Sequence, residues 1–91
     1  MSAEPPEILY HATSPKAASM IVESGLKPMG RQYVHLSVDI ATAKQVGSRK
    51  SAEPEIMLIR AREAHSEGVC FYIGNEHVWL ADNIPPKFIQ E

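Results

Sequence analysis

Two histidines in this chain occupy matching positions. Ile8-Leu9-Tyr10-His11 runs into Ala12-Thr13-Ser14, and Tyr33-Val34-His35-Leu36 closes on Ser37, each just before a helix-like pattern. Short runs of aromatic, β-branched and apolar residues read as strands. Each strand therefore carries an imidazole near its end, with small hydroxyl residues beyond it. Imidazoles and hydroxyls both donate and accept hydrogen bonds, so two such ends can line one cleft while the sheet stays buried. A third candidate, Arg49, sits in the basic stretch Ser48-Arg49-Lys50-Ser51. A planar guanidinium gives two charge-assisted bonds to one phosphate where lysine offers a point charge. Each residue also has a plainer role open to it. A strand histidine can be a hydrogen-bonded rim residue, Arg49 can meet helix C-terminal carbonyls, and Thr13 and Ser37 can cap helices. Arg31 reads as solvated. His65 and His77 fall in loops without metal-ligand spacing and read as surface.

The elements that must position these residues follow from periodicity. Residues 1–7, polar and proline-bearing, read as a disordered or linker lead-in, and residues 8–91 as one domain. After the first strand, Thr13 or Ser14 caps a helix with Pro15 at its first position. Ala17, Ala18, Ile21 and Val22 recur at helical spacing until Gly25, so Ile21 and Leu26 should pack on the sheet. Lys27-Pro28-Met29-Gly30 is turn chemistry. Asp39 or Ser37 caps a second helix that Gly47 terminates. Ile56-Met57-Leu58-Ile59 reads as a strand, Arg62 to Glu67 as no more than one helical turn, and Val69 to Ile73 and Val78-Trp79-Leu80 as a hairpin around Gly74-Asn75-Glu76-His77. The tail, with Pro85 and Pro86, can add only an edge strand. The fold class is α+β, with five or six short strands and two helices.

Composition bounds the function. The 91 residues suit one domain, with 44% hydrophobic and 22% charged residues. No stretch approaches the roughly 20 apolar residues of a membrane span. The single cysteine, Cys70, excludes an intramolecular disulfide and a cysteine-based metal site, making the reducing cytoplasm the expected compartment, with Cys70 in the core. A formal charge of −2 gives no general electrostatic reason to bind nucleic acid, so any polyanion contact must be local.

Taken together, Leu9-Tyr10-His11-Ala12-Thr13, Tyr33-Val34-His35-Leu36-Ser37, Val46-Gly47-Ser48-Arg49, Gly68-Val69-Cys70-Phe71-Tyr72 and Val78-Trp79-Leu80 resemble the C-terminal lobe of the NAD-dependent RNA 2′-phosphotransferases, in the same order and at similar spacing. The resemblance spans most of residues 8–89. It implies an ADP-ribosyltransferase-like split, bent β-sheet that holds NAD, as co-substrate, in a cleft. His11 and His35 would be two members of a His-His-apolar set that replaces the signature His-Tyr-Glu, and Val78 would stand where the glutamate otherwise is. It further implies cofactor contacts from His11, Ala12, Thr13, His35, Leu36 and Ser37, with Arg49 as the catalytic, phosphate-binding residue and no metal. One of Trp79, Phe71 and Tyr72, otherwise core aromatics, could floor the nicotinamide or adenine ring.

The reaction so implied removes an internal 2′-phosphate from spliced RNA, tRNA included. The phosphate attacks the ribose carbon that bears nicotinamide and expels nicotinamide, and the ribose 2″-hydroxyl then attacks the phosphate, releasing RNA and ADP-ribose cyclic phosphate. Positioning and electrostatics would be the protein's main contribution. The sequence departs from the family pattern in several places. The family's N-terminal winged-helix lobe, with its further arginines, is absent from this sequence. His-Gly-Thr reads His11-Ala12-Thr13, adding a methyl where backbone should approach the cofactor. Arg-His-Gly reads Arg49-Lys50-Ser51, and Asn-Gly before Val-Trp-Leu has become Glu76-His77. Two alternatives therefore stand beside the phosphotransferase: a stand-alone ADP-ribosyltransferase of toxin or effector type with another acceptor, and a catalytically degenerate NAD- or ADP-ribose-binding module.

Overall fold

Hydrogen bonding fixes where each segment stops. In a computed structural model, which describes residues 3–28, 32–49 and 51–91, the chain runs β1 (Ile8–Thr13), α1 (Pro15–Ser24), β2 (Val34–Ser37), α2 (Ile40–Gly47), β3 (Glu55–Arg60), α3 (Ala61–Ser66), β4 (Phe71–Ile73), β5 (Val78–Ala81), a 3-10 turn (Pro86–Phe88) and β6 (Ile89–Gln90). Ser14 caps α1 by accepting from the Ala17 amide at 3.2 Å, with Pro15 in the first turn, where its missing N–H costs nothing. Gly25 ends α1 at φ 84°, and a Cβ there would lie 2.4 Å from the Ile84 carbonyl oxygen. Asp39 caps α2 through the Thr42 amide at 2.7 Å. Capping thus falls to Ser14 and Asp39, not to Thr13 or Ser37. The turn expected at Lys27–Gly30, together with Arg31 and Lys50, extends outside the described residues.

The six strands form one antiparallel sheet in the order β4-β5-β2-β1-β3-β6. Its two halves are well zipped, with register pairs from Ile8↔Arg60 to Thr13↔Glu55 on one side and from Val34↔Ala81 to Ser37↔Val78 on the other. Between the halves, β1 and β2 meet at one pair, Tyr10↔Ser37. The sheet is split there.

Alternation along the strands sends Leu9, Val34, Leu36, Met57, Ile59, Phe71 and Ala81 to one face, where Ala18 of α1, Ala61 and Ala64 of α3, Phe88 and Ile89 complete the core. Truncating one of its large side chains costs about 2–5 kcal/mol, against a total stability of about 5–15 kcal/mol. The opposite face of β1 is covered by α2, whose Gly47 abuts Ala12.

Several expectations need correcting. A third helix, α3, forms where at most one turn was expected, because Ala61 and Ala64 bury a face of it. α2 ends at Gly47 as expected, but not through a left-handed glycine: the positive-φ glycines among the described residues are Gly25 and Gly68, and Ser48 beyond Gly47 is in αR conformation. Val22 is exposed, since α1 turns Ala18 and Ile21 inward instead. His65 is half-buried, its ring 6.3 Å from that of Phe71, and is not a surface residue. Cys70 is half-buried at the rim of a hollow, not in the core. Residues 3–7 are irregular but tied down, with Pro5 fully buried and the Ala3 amide donating to the Phe71 carbonyl at 2.8 Å. Among the described residues, no helix is long and apolar enough to cross a membrane.

Candidate functional site

The split has a direct consequence for the histidines. Side chains and main-chain groups alternate along β2, so the carbonyls of Tyr33, His35 and Ser37 share a direction toward β1. At Ser37 the ladder is intact. At His35 it has parted, and the carbonyl is reached instead by the His11 ring, whose Nδ1–H donates to it at 3.1 Å. The Tyr33 carbonyl is taken by the His35 ring, again through Nδ1–H, at 3.2 Å. A carbonyl can only accept, so both contacts assign the proton to Nδ1 and turn Nε2 into an acceptor in the neutral ring. Two imidazoles therefore do what strand amides do elsewhere: they satisfy main-chain carbonyls that the opening leaves behind.

The rings themselves do not sit face to face. Alternation from the Tyr10↔Ser37 pair puts His35 on the Tyr10 side of the sheet and His11 on the Leu9 side. They are joined through the gap between the strands, by the ring of one and the backbone of the other. His35 is exposed and His11 half-buried.

The remaining predicted residues distribute around this opening. Thr13 and Ser37 are buried to 6% exposure, one at the end of each strand. Ala12 and Leu36 direct their side chains away, Ala12 against Gly47 and Leu36 into the core, and the Leu36 main chain faces Trp79 of β5, so neither side chain faces the opening. The additional methyl of Ala12 thus takes no space in the opening. Arg49 is exposed just beyond α2, its amide bonded to the Val46 carbonyl at 3.2 Å. Contact between Gly47 and Ala12 brings that end of α2 beside the end of β1. Val78 lies opposite Ser37, its amide held at 3.0 Å by the Asn75 side chain. Among the described residues no cluster of three or more His, Cys, Asp or Glu could hold a metal.

The face that carries His35 also carries Tyr33, to which sequence reading gave no site role, and Tyr72, which it offered as a core aromatic or the floor beneath a ring. Leu80 pairs with both His35 and Tyr72, which sets Tyr72 on that face, and Tyr33 lies two residues before His35. The Tyr33 and Tyr72 rings are 5.0 Å apart at 48°. The Tyr72 hydroxyl donates to Asp82 at 3.3 Å. Burial foremost, then the Asp82 carboxylate and Cys70, push the Tyr72 phenol up to about 12, so it keeps its proton at neutral pH. Tyr72 is accordingly half-buried on the open face and not a core aromatic; Phe71 is the core residue, and Trp79 packs at its edge. A hollow of about 470 Å³, lined by Pro28, Cys70, Asp82 and Asn83 among others, lies past the far end of β5 from Val78, away from the histidines.

A split antiparallel sheet with a histidine on each lip can be compared with known proteins. The model of the RNA 2′-phosphotransferase, Tpt1/KptA family matches residues 1–83. The chain belongs to this family. A probable RNA 2′-phosphotransferase of Acetivibrio thermocellus is 55% identical over 86 residues, which are 94% of this chain and 47% of that protein. Its counterpart in Bacillus thuringiensis is 58% identical over 85 residues, 93% of this chain and 46% of the relative. One from Nostoc punctiforme is 45% identical across 96% of this chain and 48% of its own. This member of the Tpt1/KptA family therefore spans about half the length of the curated relatives it matches. The α+β architecture, with its open six-stranded antiparallel sheet, is that of a small ADP-ribosyltransferase-like lobe.

Proposed function

We propose that this chain is the NAD-binding lobe of an RNA 2′-phosphotransferase and that the opening between β1 and β2 receives the dinucleotide. The observation that carries this reading is the pair of Nδ1–H contacts, His11 to the His35 carbonyl and His35 to the Tyr33 carbonyl. At the exposed His35 that leaves the ring able to accept, through Nε2, from a ribose hydroxyl or a carboxamide N–H, while the His11 contact sets that ring across the opening. Thr13 and Ser37, with little solvent around them, offer further hydroxyls near the split, one on either face of the sheet. That donor set suits a sugar-rich ligand. NAD, when bound, supplies an activated ribose carbon and nicotinamide as the leaving group. Arg49 holds the 2′-phosphate of the RNA against that carbon and neutralises its charge, and Val78, being apolar, brings no carboxylate to repel it. The cytoplasm, where NAD and spliced RNA meet, is the compartment proposed.

The test is calorimetry with NAD on the wild-type chain and on His11→Ala and His35→Ala. Each substitution removes one ring-to-carbonyl hydrogen bond together with the imidazole, and should weaken binding by about 1–3 kcal/mol, roughly 5- to 150-fold. Unchanged affinity in both variants would remove the histidines from the site.

A further inference from the structure

We propose that Tyr72 is a positioning residue for His35: its ring steadies Tyr33, whose carbonyl keeps the His35 imidazole in the Nδ1–H form. Paired residues of β2 begin at Val34↔Ala81, so Tyr33 stands one residue outside the ladder. Its carbonyl nevertheless determines which His35 nitrogen carries the proton, through the 3.2 Å contact. That carbonyl shares its peptide plane with the Val34 amide, which faces Ala81 in the last pair of the ladder, so the plane turns when this end of β2 frays, unless something holds the residue. Here the holding group is the ring of Tyr72, 5.0 Å away and tilted by 48°, within the range where aromatic pairs attract.

Tyr72 is itself well placed to act as an anchor. It is inside the β4–β5 ladder, paired with Leu80, and its phenol donates to Asp82. Leu80 is paired with His35 on its other side, so anchor and imidazole occupy one row across three strands. The arrangement is diagonal: Tyr72 lies in the row of His35 but touches Tyr33, one strand step earlier. Loss of the ring contact would release Tyr33 and let the His35 proton exchange between its two nitrogens. Its bearing on NAD rests on the function proposed above; the tautomer itself does not.

The experiment is long-range proton–nitrogen correlation NMR of the ligand-free protein, read at His35. The wild type should show a protonated Nδ1 and an unprotonated Nε2. Tyr72→Ala and Tyr33→Ala cut the same ring contact from either side and retain every backbone acceptor; each should move both nitrogens toward averaged shifts. Tyr72→Phe, which keeps the ring, should restore the wild-type pattern. In the same variants NAD affinity should fall by roughly three- to tenfold for the alanines, the equivalent of one weak hydrogen bond, and recover with Phe. Wild-type shifts in either folded alanine variant would overturn the proposal, as would a Phe variant as disturbed as Tyr72→Ala. Should Tyr72→Ala not fold, Tyr33→Ala decides, since it removes a half-buried ring outside the ladder. A wild type that fails to bind NAD while the tautomers move as expected would defeat the proposed function and uphold the positioning role.

Discussion

An imidazole that gives its Nδ1 proton to a main-chain carbonyl closes a gap in the backbone accounting, as His11 and His35 both do where the sheet parts, and at the exposed His35 it also turns Nε2 into an acceptor. Structure and chemistry share the same proton there. Asp39, two residues beyond Ser37, shows a simpler coupling of proton to fold. Its carboxyl is held below its ordinary value of 3.8 by the Thr42 backbone amide first and the Thr42 hydroxyl next, with His77 adding a little and burial opposing. A carboxyl with a lowered native pKa binds fewer protons folded than unfolded, so it contributes stability above the unfolded value and loses it as pH falls through the native one. The melting temperature of the wild type should therefore drop as the pH is taken from about 5 to 2, the range in which such a carboxyl titrates. Asp39→Asn, which keeps a capping oxygen but cannot titrate, should show a shallower acid limb, and Asp39→Ala a lower melting temperature at neutral pH as well. Thermal scans across that range check both, and an Asn variant as acid-sensitive as the wild type would dismiss the Asp39 contribution.

α2 and β1 are locked by the approach of Gly47 to Ala12. A Cβ added at Gly47 would lie 2.6 Å from the Ala12 Cβ and 2.7 Å from the Pro54 Cβ, so Gly47→Ala forces the helix end away from the strand. Overpacking of this kind costs about 1–3 kcal/mol, to be read from urea unfolding. Because the end of β1 carries His11, the same variant should weaken NAD binding without touching that residue. Unfolding midpoints matching the wild type would show that the interface yields freely. This contact also marks where the sequence ceased to be legible. Ser14, Pro15 and Gly25 announce α1 because capping and positive φ are local properties, and the alternation of Val34 to Ser37 announces β2 for the same reason. Gly47 looked like another stop signal, yet its purpose is the close passage of a residue 35 positions earlier, which no local pattern records. α3 was read as a single turn for a like reason, since its two buried alanines gain from tertiary contact what a six-residue segment lacks in propensity. The histidines were legible as strand residues; their attachment to carbonyls across the split was not, since it depends on where a ladder ends.

For the molecule as a whole, charge constrains how RNA can be held. A protein that neutralises many phosphates releases as many counterions, and its affinity falls with salt at a log–log slope of about −0.7 per contact on single strands. With a formal charge of −2, this chain has no surplus of cations to support a steep slope. If Arg49 provides the main phosphate contact, binding of a 2′-phosphorylated oligonucleotide should show a slope of only about −0.7 to −1.4, one or two contacts, and Arg49→Ala should lower its magnitude by about 0.7. The same substitution should leave NAD affinity near the wild-type value, because Arg49 is exposed beyond α2 and is assigned to the phosphate of the RNA. The relatives are about twice as long, and the cations that make RNA binding strong in such an enzyme are then expected in the half of their length that this chain does not span. Titrations at several salt concentrations, by fluorescence anisotropy, measure the slope directly. A slope as steep as about −3.5, five contacts, that survives Arg49→Ala would place the RNA on a basic surface unrelated to the His11–His35 opening.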